Sequence, residues 1–212
     1  MKVIALNGSP RKNWNTFTLL DEALKGARSK GAVVEMVNLY DLTYRGCVSC
    51  FACKRKGATV DQCITRDDLF PILRKIRESD AFILGSPIYF NCVTGEMRSL
   101  MERLCFPYIS YDRKPSSFGR KIKTAFIYTM NVPEAYLETI GYAKMFTDNE
   151  KLLERVFGHS ESLVVTETNQ FEDYSKYASS MFDPQQRAIR HATVFVEDCK
   201  KAFELGTRMN NS

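Results

Sequence analysis

The chain has 212 residues, 44% hydrophobic and 26% charged, with a formal net charge of +5. That length suits one sizeable domain with a real core, and no Pro/Gly/Ser-rich linker or shift in composition divides it, so residues 1–212 read as a single domain. Lysine and arginine are spread without a dense basic run or stripe, which argues against nucleic acid and suits an anionic small molecule, and no apolar run approaches membrane-spanning length.

Met1 leads almost directly into the apolar run Val3–Leu6, with no basic n-region, apolar h-region or small-residue cleavage site, so a cytoplasmic protein is expected. The run breaks into Asn7-Gly8-Ser9-Pro10-Arg11-Lys12-Asn13-Trp14-Asn15-Thr16. The spacing of Leu19, Leu20, Ala23, Leu24 and Ala27 then predicts an amphipathic helix over Asn15–Lys30. A helix N-terminus presents unpaired N–H groups and the positive end of the helix dipole, so an anion there meets several donors at once. Ser9, Asn13, Asn15 and Thr16 add side-chain donors. The P-loop pattern does not fit, because Asn13 and Trp14 stand where Gly and Lys belong, and Gly-x-Gly-x-x-Gly is absent. An ordinary strand, turn and capped helix without a ligand is the other reading of these residues.

Val33–Asn38 predicts the second strand, and a cysteine-bearing loop at about 44–66 follows it, with Cys47-x2-Cys50-x2-Cys53-x9-Cys63. Seven cysteines, an odd number, argue against a disulfide scaffold in a chain read as intracellular. Four thiolates on a turn-rich loop can wrap a compact cluster, since short spacings let the sulfurs converge; a zinc site or bare thiols are the alternatives. Lys54-Arg55-Lys56 reads as a solvated stretch that could also attract an acidic partner. Phe70, Leu73 and Ile76 predict a helix over Asp67–Arg77, and Ala81–Gly85 the third strand. Ser86-Pro87-Ile88-Tyr89-Phe90-Asn91 then combines aromatic faces, a rigid proline and amide groups ahead of a helix over Thr94–Cys105. Cys92, Cys105 and Cys199 lie on helical faces or their edges and read as small core residues.

Thr124–Thr129 predicts the fourth strand and Leu163–Thr166 the fifth. Between them, Thr147 and Glu150 form a capping box that would divide residues 134–157 into two helices. Asp183-Pro184-Gln185-Gln186 offers an N-cap, a proline at N1 and a capping-box glutamine for the last helix. His159 and His191 are isolated and read as structural or exposed. Near-continuous hydrophobic strands alternating with helices imply a parallel sheet covered on both faces. The expected architecture is α/β, a flavodoxin-like doubly wound five-stranded sheet in order 2-1-3-4-5. A ligand would sit where the winding reverses, between the first and third strands, with an anion in the first loop and a planar ring in the second.

Asn-Gly-Ser-Pro-Arg-Lys-x-x-Asn-Thr together with Gly-Ser-Pro-Ile-Tyr-Phe-x-x-x-Thr-Gly-x-Met resembles the NADPH-dependent FMN reductase family. The resemblance implies that Ser9, Arg11, Asn13, Asn15 and Thr16 hold the FMN phosphate. It implies that Pro87, Ile88, Tyr89, Phe90 and Asn91 line the isoalloxazine ring, with Thr129 joining them from the fourth strand. Family members often carry a Gly-rich loop there, whereas Tyr128–Pro133 has no glycine, so that side is built differently or by a partner subunit. Trp14, large for this loop, packs over it or meets another subunit. The cysteine spacing is similar to that of the iron-sulfur flavoproteins, which add a four-iron cluster, although the final gap here is longer. By that similarity Cys47, Cys50, Cys53 and Cys63 would ligate a 4Fe-4S cluster.

The implied activity is FMN-dependent oxidoreduction, with NAD(P)H as reductant and a quinone, flavin or other acceptor. Hydride transfer to a flavin demands no acid, base or nucleophile, so no catalytic side chain is named. With a cluster present, the protein would instead relay electrons, for example to a redox protein. The resemblance also implies a homodimer or homotetramer, with the aromatic stretch Phe171–Phe182 covering a neighbouring subunit or the flavin mouth. Two rivals stand beside this reading. Cys92-x5-Arg98-Ser99 has the spacing of a cysteine phosphatase, and an inert flavin- or zinc-bearing scaffold needs no turnover.

Overall fold

Side chains alternate between two cores along each inner strand of the computed structural model, which describes residues 1–57, 62–111 and 116–210. Residues 58–61 of the cysteine-bearing loop lie outside that description. The strands are β1 (Lys2–Asn7), β2 (Val33–Asn38), β3 (Ala81–Tyr89), β4 (Cys92–Val93), β5 (Lys123–Thr129) and β6 (Ser160–Val165). The helices are α1 (Asn15–Ser29), α2 (Leu69–Glu78), α3 (Gly95–Cys105), α4 (Tyr142–Phe157), α5 (Pro184–Ala192) and α6 (Val194–Arg208). Five strands pair in parallel in the order β2-β1-β3-β5-β6, which is the expected 2-1-3-4-5 winding.

Ile4, Leu6, Phe82, Leu84 and Phe126 face α2, α3 and α4, while Val3, Ala5, Ala81, Ile83 and Ala125 face α1 and α6. The small residues on the second face accompany a very close helix crossing. A Cβ on Gly206 would stand 1.7 Å from the Ala23 carbonyl oxygen, and one on Gly26 would stand 1.9 Å from that of Phe203. Only glycine on both helices lets α1 and α6 meet backbone to backbone.

The sequence reading is corrected at three places. A sixth strand, β4, pairs antiparallel with the end of β3, so Cys92 lies in a hairpin rather than at a helix edge. The hairpin turns on Phe90 and Asn91, at φ 49° and 60°, the two consecutive left-handed residues that a two-residue hairpin loop requires. Residues 134–157 form a short 3₁₀ turn at Glu134–Tyr136 and then one continuous α4. The Thr147 hydroxyl donates back to the Ala143 carbonyl at 3.0 Å inside that helix, so it caps nothing. The final helical stretch breaks at Thr193 into α5 and α6; Asp183 caps the first by accepting from Gln185 N at 2.9 Å and Gln186 N at 3.2 Å. Among the described residues, no helix is long and apolar enough to cross a membrane.

Candidate functional site

A cleft opens beyond the carboxyl ends of β1, β3 and β5, at the point where the winding reverses. Its first wall is the β1–α1 loop. The Gly8 N–H donates to the Gly85 carbonyl at 2.8 Å, and a Cβ on Gly8 would lie 2.9 Å from Met97 Cβ, so only glycine allows the approach. Asn7 Oδ1 accepts from the Ser9 N–H at 3.1 Å, and Ser9 Oγ accepts from the Arg11 N–H at 3.1 Å. These short bonds turn the loop so that Ser9, Arg11, Asn15 and Thr16 line the cleft. Trp14 stands at the N-cap of α1 without a side-chain capping bond, leaving the first N–H groups of the helix without a side-chain acceptor.

The second wall is the end of β3, where Pro87, Ile88 and Tyr89 line the cleft. Helix α3 holds both loops together: Thr94 Oγ1 donates to the Gly8 carbonyl at 2.7 Å, and the Thr94 N–H donates to Ser86 Oγ at 3.1 Å. Thr129 adds a third attachment, its hydroxyl 2.8 Å from that of Thr16.

The sequence reading missed the third wall, which comes from Met130 and Asn131 after β5 and Thr168, Asn169 and Gln170 after β6. The Asn169 carbonyl accepts from Trp14 Nε1 at 3.0 Å and Asn15 Nδ2 at 2.9 Å, while the Gln170 carbonyl accepts from Arg11 Nη1 at 2.5 Å. Trp14 thereby packs against the loop after β6. No motif marks residues 168–170; at Asn131 the signal was the absent glycine. Among the described residues, Asn131 Oδ1 and Asn169 Oδ1 are buried acceptors with no donor. Such atoms are costly unless a ligand supplies the hydrogen bond.

Three residues expected at the site lie elsewhere. Asn13 is exposed and outside the lining, as is Phe90, which is fully exposed at the tip of the β3–β4 hairpin. Asn91 donates from Nδ2 to the Ile140 carbonyl at 3.1 Å. In each case the hairpin or loop geometry turns the side chain outward.

Cys47, Cys50, Cys53 and Cys63 line one second cleft, beside the C-terminal end of α3. Ser49 and Phe51, both at φ 52°, wind this loop through left-handed conformations of the kind that turn backbone N–H groups toward a bound anion or cluster. Glu102 Oε2 accepts the Cys47 N–H at 3.1 Å, and Lys54 Nζ donates to the carbonyls of Phe106 and Ile109 at 2.5 Å and of Pro107 at 3.1 Å. Burial pushes the Cys53 thiol up and pulls the Lys54 ammonium down. Among the described residues, no three ligating side chains are grouped to hold a single metal ion.

The phosphatase arrangement does not assemble. Cys92 is paired in β4, Thr94 Oγ1 accepts the Met97 N–H at 3.4 Å at the start of α3, and Arg98 faces Glu102 at 3.5 Å. His191 stacks on Phe195 at 4.8 Å, a packing role, and His159 lends its backbone carbonyl to Thr124.

A family model described as NADPH-dependent FMN reductase matches residues 1–131. An iron-sulfur flavoprotein of Methanocaldococcus jannaschii is 41% identical over 103 residues, which are 49% of this chain and 51% of that protein. An iron-sulfur flavoprotein of Archaeoglobus fulgidus is 34% identical over 143 residues, 67% of this chain and 60% of that protein. The chain thus spans about half to three-fifths of the length of these curated relatives. An NAD(P)H:quinone oxidoreductase from Methanothermobacter marburgensis has a TM-score of 0.69 at 15% identity, covering 100% of this chain and 98% of that one. A flavodoxin from the domain Archaea has a TM-score of 0.52 at 13% identity, covering 99% and 96%. These two likenesses establish a flavodoxin-like fold. The match over residues 1–131 takes in the β1 and β3 loops together with the end of β5, and by it the chain belongs to the NADPH-dependent FMN reductase family.

Proposed function

We propose that the cleft at the switch point binds FMN and that the protein is an FMN-dependent oxidoreductase, reduced by NAD(P)H and passing electrons to a quinone, a flavin or a similar small acceptor. The observation that carries this is the donor and acceptor set of the cleft. The α1 N-terminus without a side-chain cap stands beside Ser9, Arg11 and Thr16, a set of donors suited to a phosphate. The buried oxygens of Asn131 and Asn169 offer acceptors for hydroxyl or ring N–H groups. Bound FMN would supply the redox chemistry, taking up a hydride and giving electrons in pairs or singly.

The chain's own residues bind and orient. Ser9, Arg11, Asn15 and Thr16 hold the phosphate, Pro87, Ile88 and Tyr89 flank the ring, and the Thr16–Thr129 hydroxyl pair ties the start of α1 to the end of β5. Tyr89 is 45% exposed, so the mouth remains open to a nicotinamide or a planar acceptor.

The four cysteines on one cleft favour a second reading, an iron-sulfur flavoprotein that relays electrons. Thiolates are the ligands of such clusters, and Cys47, Cys50, Cys53 and Cys63 would hold it, supplying one-electron transfer. Association into a homodimer or homotetramer is part of the proposal, on the strength of exposed Tyr177 and Met181.

The test is anaerobic purification followed by an absorption spectrum, flavin identification and iron and sulfide analysis. Flavin released as FMN, bleached by NADPH or NADH, supports the oxidoreductase; protein that neither carries nor binds FMN overturns it. In flavin titrations, Ser9→Ala and Arg11→Ala are expected to weaken FMN by about tenfold or more while leaving riboflavin affinity little changed, since each removes a phosphate contact of about 1.5–3 kcal/mol.

A further inference from the structure

Arg103, near the end of α3, is the largest fully buried side chain, only 1% exposed. A buried arginine–carboxylate pair seldom stabilises a fold more than well-packed apolar residues would, so its presence here calls for another reason. The guanidinium contacts supply one. Nη1 donates to Asp67 Oδ2 at 2.5 Å and to the Arg45 carbonyl at 3.1 Å. Nη2 donates to Asp67 Oδ1 at 2.9 Å and to the Thr65 carbonyl at 3.0 Å. Arg45 stands just before Cys47 in the chain and Thr65 just after Cys63. One planar fork therefore ties both ends of the cysteine loop to α3, across the long gap that separates Cys63 from the other three cysteines.

Four of the five guanidinium N–H donors are used in this way. Among the described residues, the fifth, on Nε, is buried without an acceptor. A buried charged donor left unpaired is costly, because its desolvation is not offset by a hydrogen bond. Arg103 and Cys63 line the same cleft, where a thiolate or sulfide would be an acceptor for that donor. Resting on the reading that these cysteines hold an iron-sulfur cluster, we infer that Arg103 is its positioning residue: it closes the loop so that Cys63 joins Cys47, Cys50 and Cys53, and it offers Nε–H to a sulfur of the cluster or its ligands. Hydrogen bonds and positive charge at the sulfurs favour the reduced, more negative state and raise the reduction potential.

The experiment compares wild type, Arg103→Lys and Asp67→Asn after anaerobic reconstitution with ferrous iron and sulfide. Iron per chain, midpoint potential, FMN content and thermal melting are measured on each. Arg103→Lys, which keeps the charge and loses the fork, is expected to melt cooperatively and keep its FMN. It is also expected to hold less than about half of the wild-type iron. The cluster that remains should be about tenfold harder to reduce, a fall of about 59 mV for a one-electron couple. Asp67→Asn loosens the fork without removing the guanidinium, so smaller losses in the same direction are expected, and it carries the test should Arg103→Lys not fold. Folded variants with wild-type iron and wild-type potential overturn the role of Arg103 and leave the cluster reading standing. Wild-type protein that takes up no iron overturns the cluster reading itself and the inference with it.

Discussion

Burial on α3 pushes the Cys105 thiol up from its ordinary value of 9.0 to about 12. At about pH 8, only about one such thiol in 10⁴ is ionised, and the thiolate is the reactive form. In metal-free protein, iodoacetamide is therefore expected to modify exposed Cys50 early and Cys105 only in denaturant, with peptide mass spectrometry as the readout; equal rates contradict the burial. The same shift has a stability consequence. The native thiol keeps its proton where the unfolded one has lost it, so Cys105 contributes stability that is full below about pH 9 and declines as pH rises toward about 12. Urea midpoints should fall less steeply above about pH 9 in Cys105→Ala than in the parent. The Thr16–Thr129 pair makes a different demand: Thr129→Val leaves the buried Thr16 hydroxyl without its 2.8 Å partner, at an expected cost of about 1 kcal/mol. In a chain of this size that is a fall of about 2–4 °C in Tm, measurable by calorimetry.

At the scale of elements, α3 organises both candidate sites. Its first residues bind the loops of the cleft, through Thr94 to Gly8 and Ser86, and its last hold the cysteine loop, through Glu102 and Arg103. With a rise of about 1.5 Å per residue, the helix sets the two sites on the order of 15 Å apart along its axis. The α1–α6 contact is the other controlling junction. Gly206→Ala would drive a methyl group to 1.7 Å from the Ala23 carbonyl oxygen, so the helices must separate. A loss of about 3 kcal/mol or more is expected in equilibrium urea unfolding; a variant within about 0.5 kcal/mol of the parent would show that the crossing relaxes freely.

For the whole molecule, the connection after β6 touches the β1–α1 loop through the Asn169 and Gln170 carbonyls, and its aromatic stretch reaches solvent. Phe171 stacks on Tyr177 at 4.1 Å, while Tyr177 and Met181 remain 54% and 83% exposed. If that surface meets a second copy, Tyr177→Asp with Met181→Asp should convert the assembly to monomer in sedimentation velocity. A parent chain that is already monomeric at all concentrations removes the oligomer from the proposal.

The winding order was legible because the strands are near-continuous apolar runs separated by helices with one apolar face each, and right-handed crossovers leave few ways to connect them. The turn of the β1–α1 loop was legible for a related reason: Gly8, Ser9 and Arg11 act through backbone bonds that local chemistry dictates. The sequence by itself thus determined the fold class, the place of the cleft and two of its walls. Tertiary structure alone decided the rest. Phe90 and Asn91 leave the cleft because β3 continues into a hairpin, an outcome fixed by pairing with Cys92 and Val93 rather than by local preference. Asn169 and Gln170 reach Trp14, Asn15 and Arg11 across more than 150 positions of chain, and Arg103 joins Arg45 to Thr65. Such contacts depend on where packed elements bring distant segments together, and no periodicity or motif records that distance.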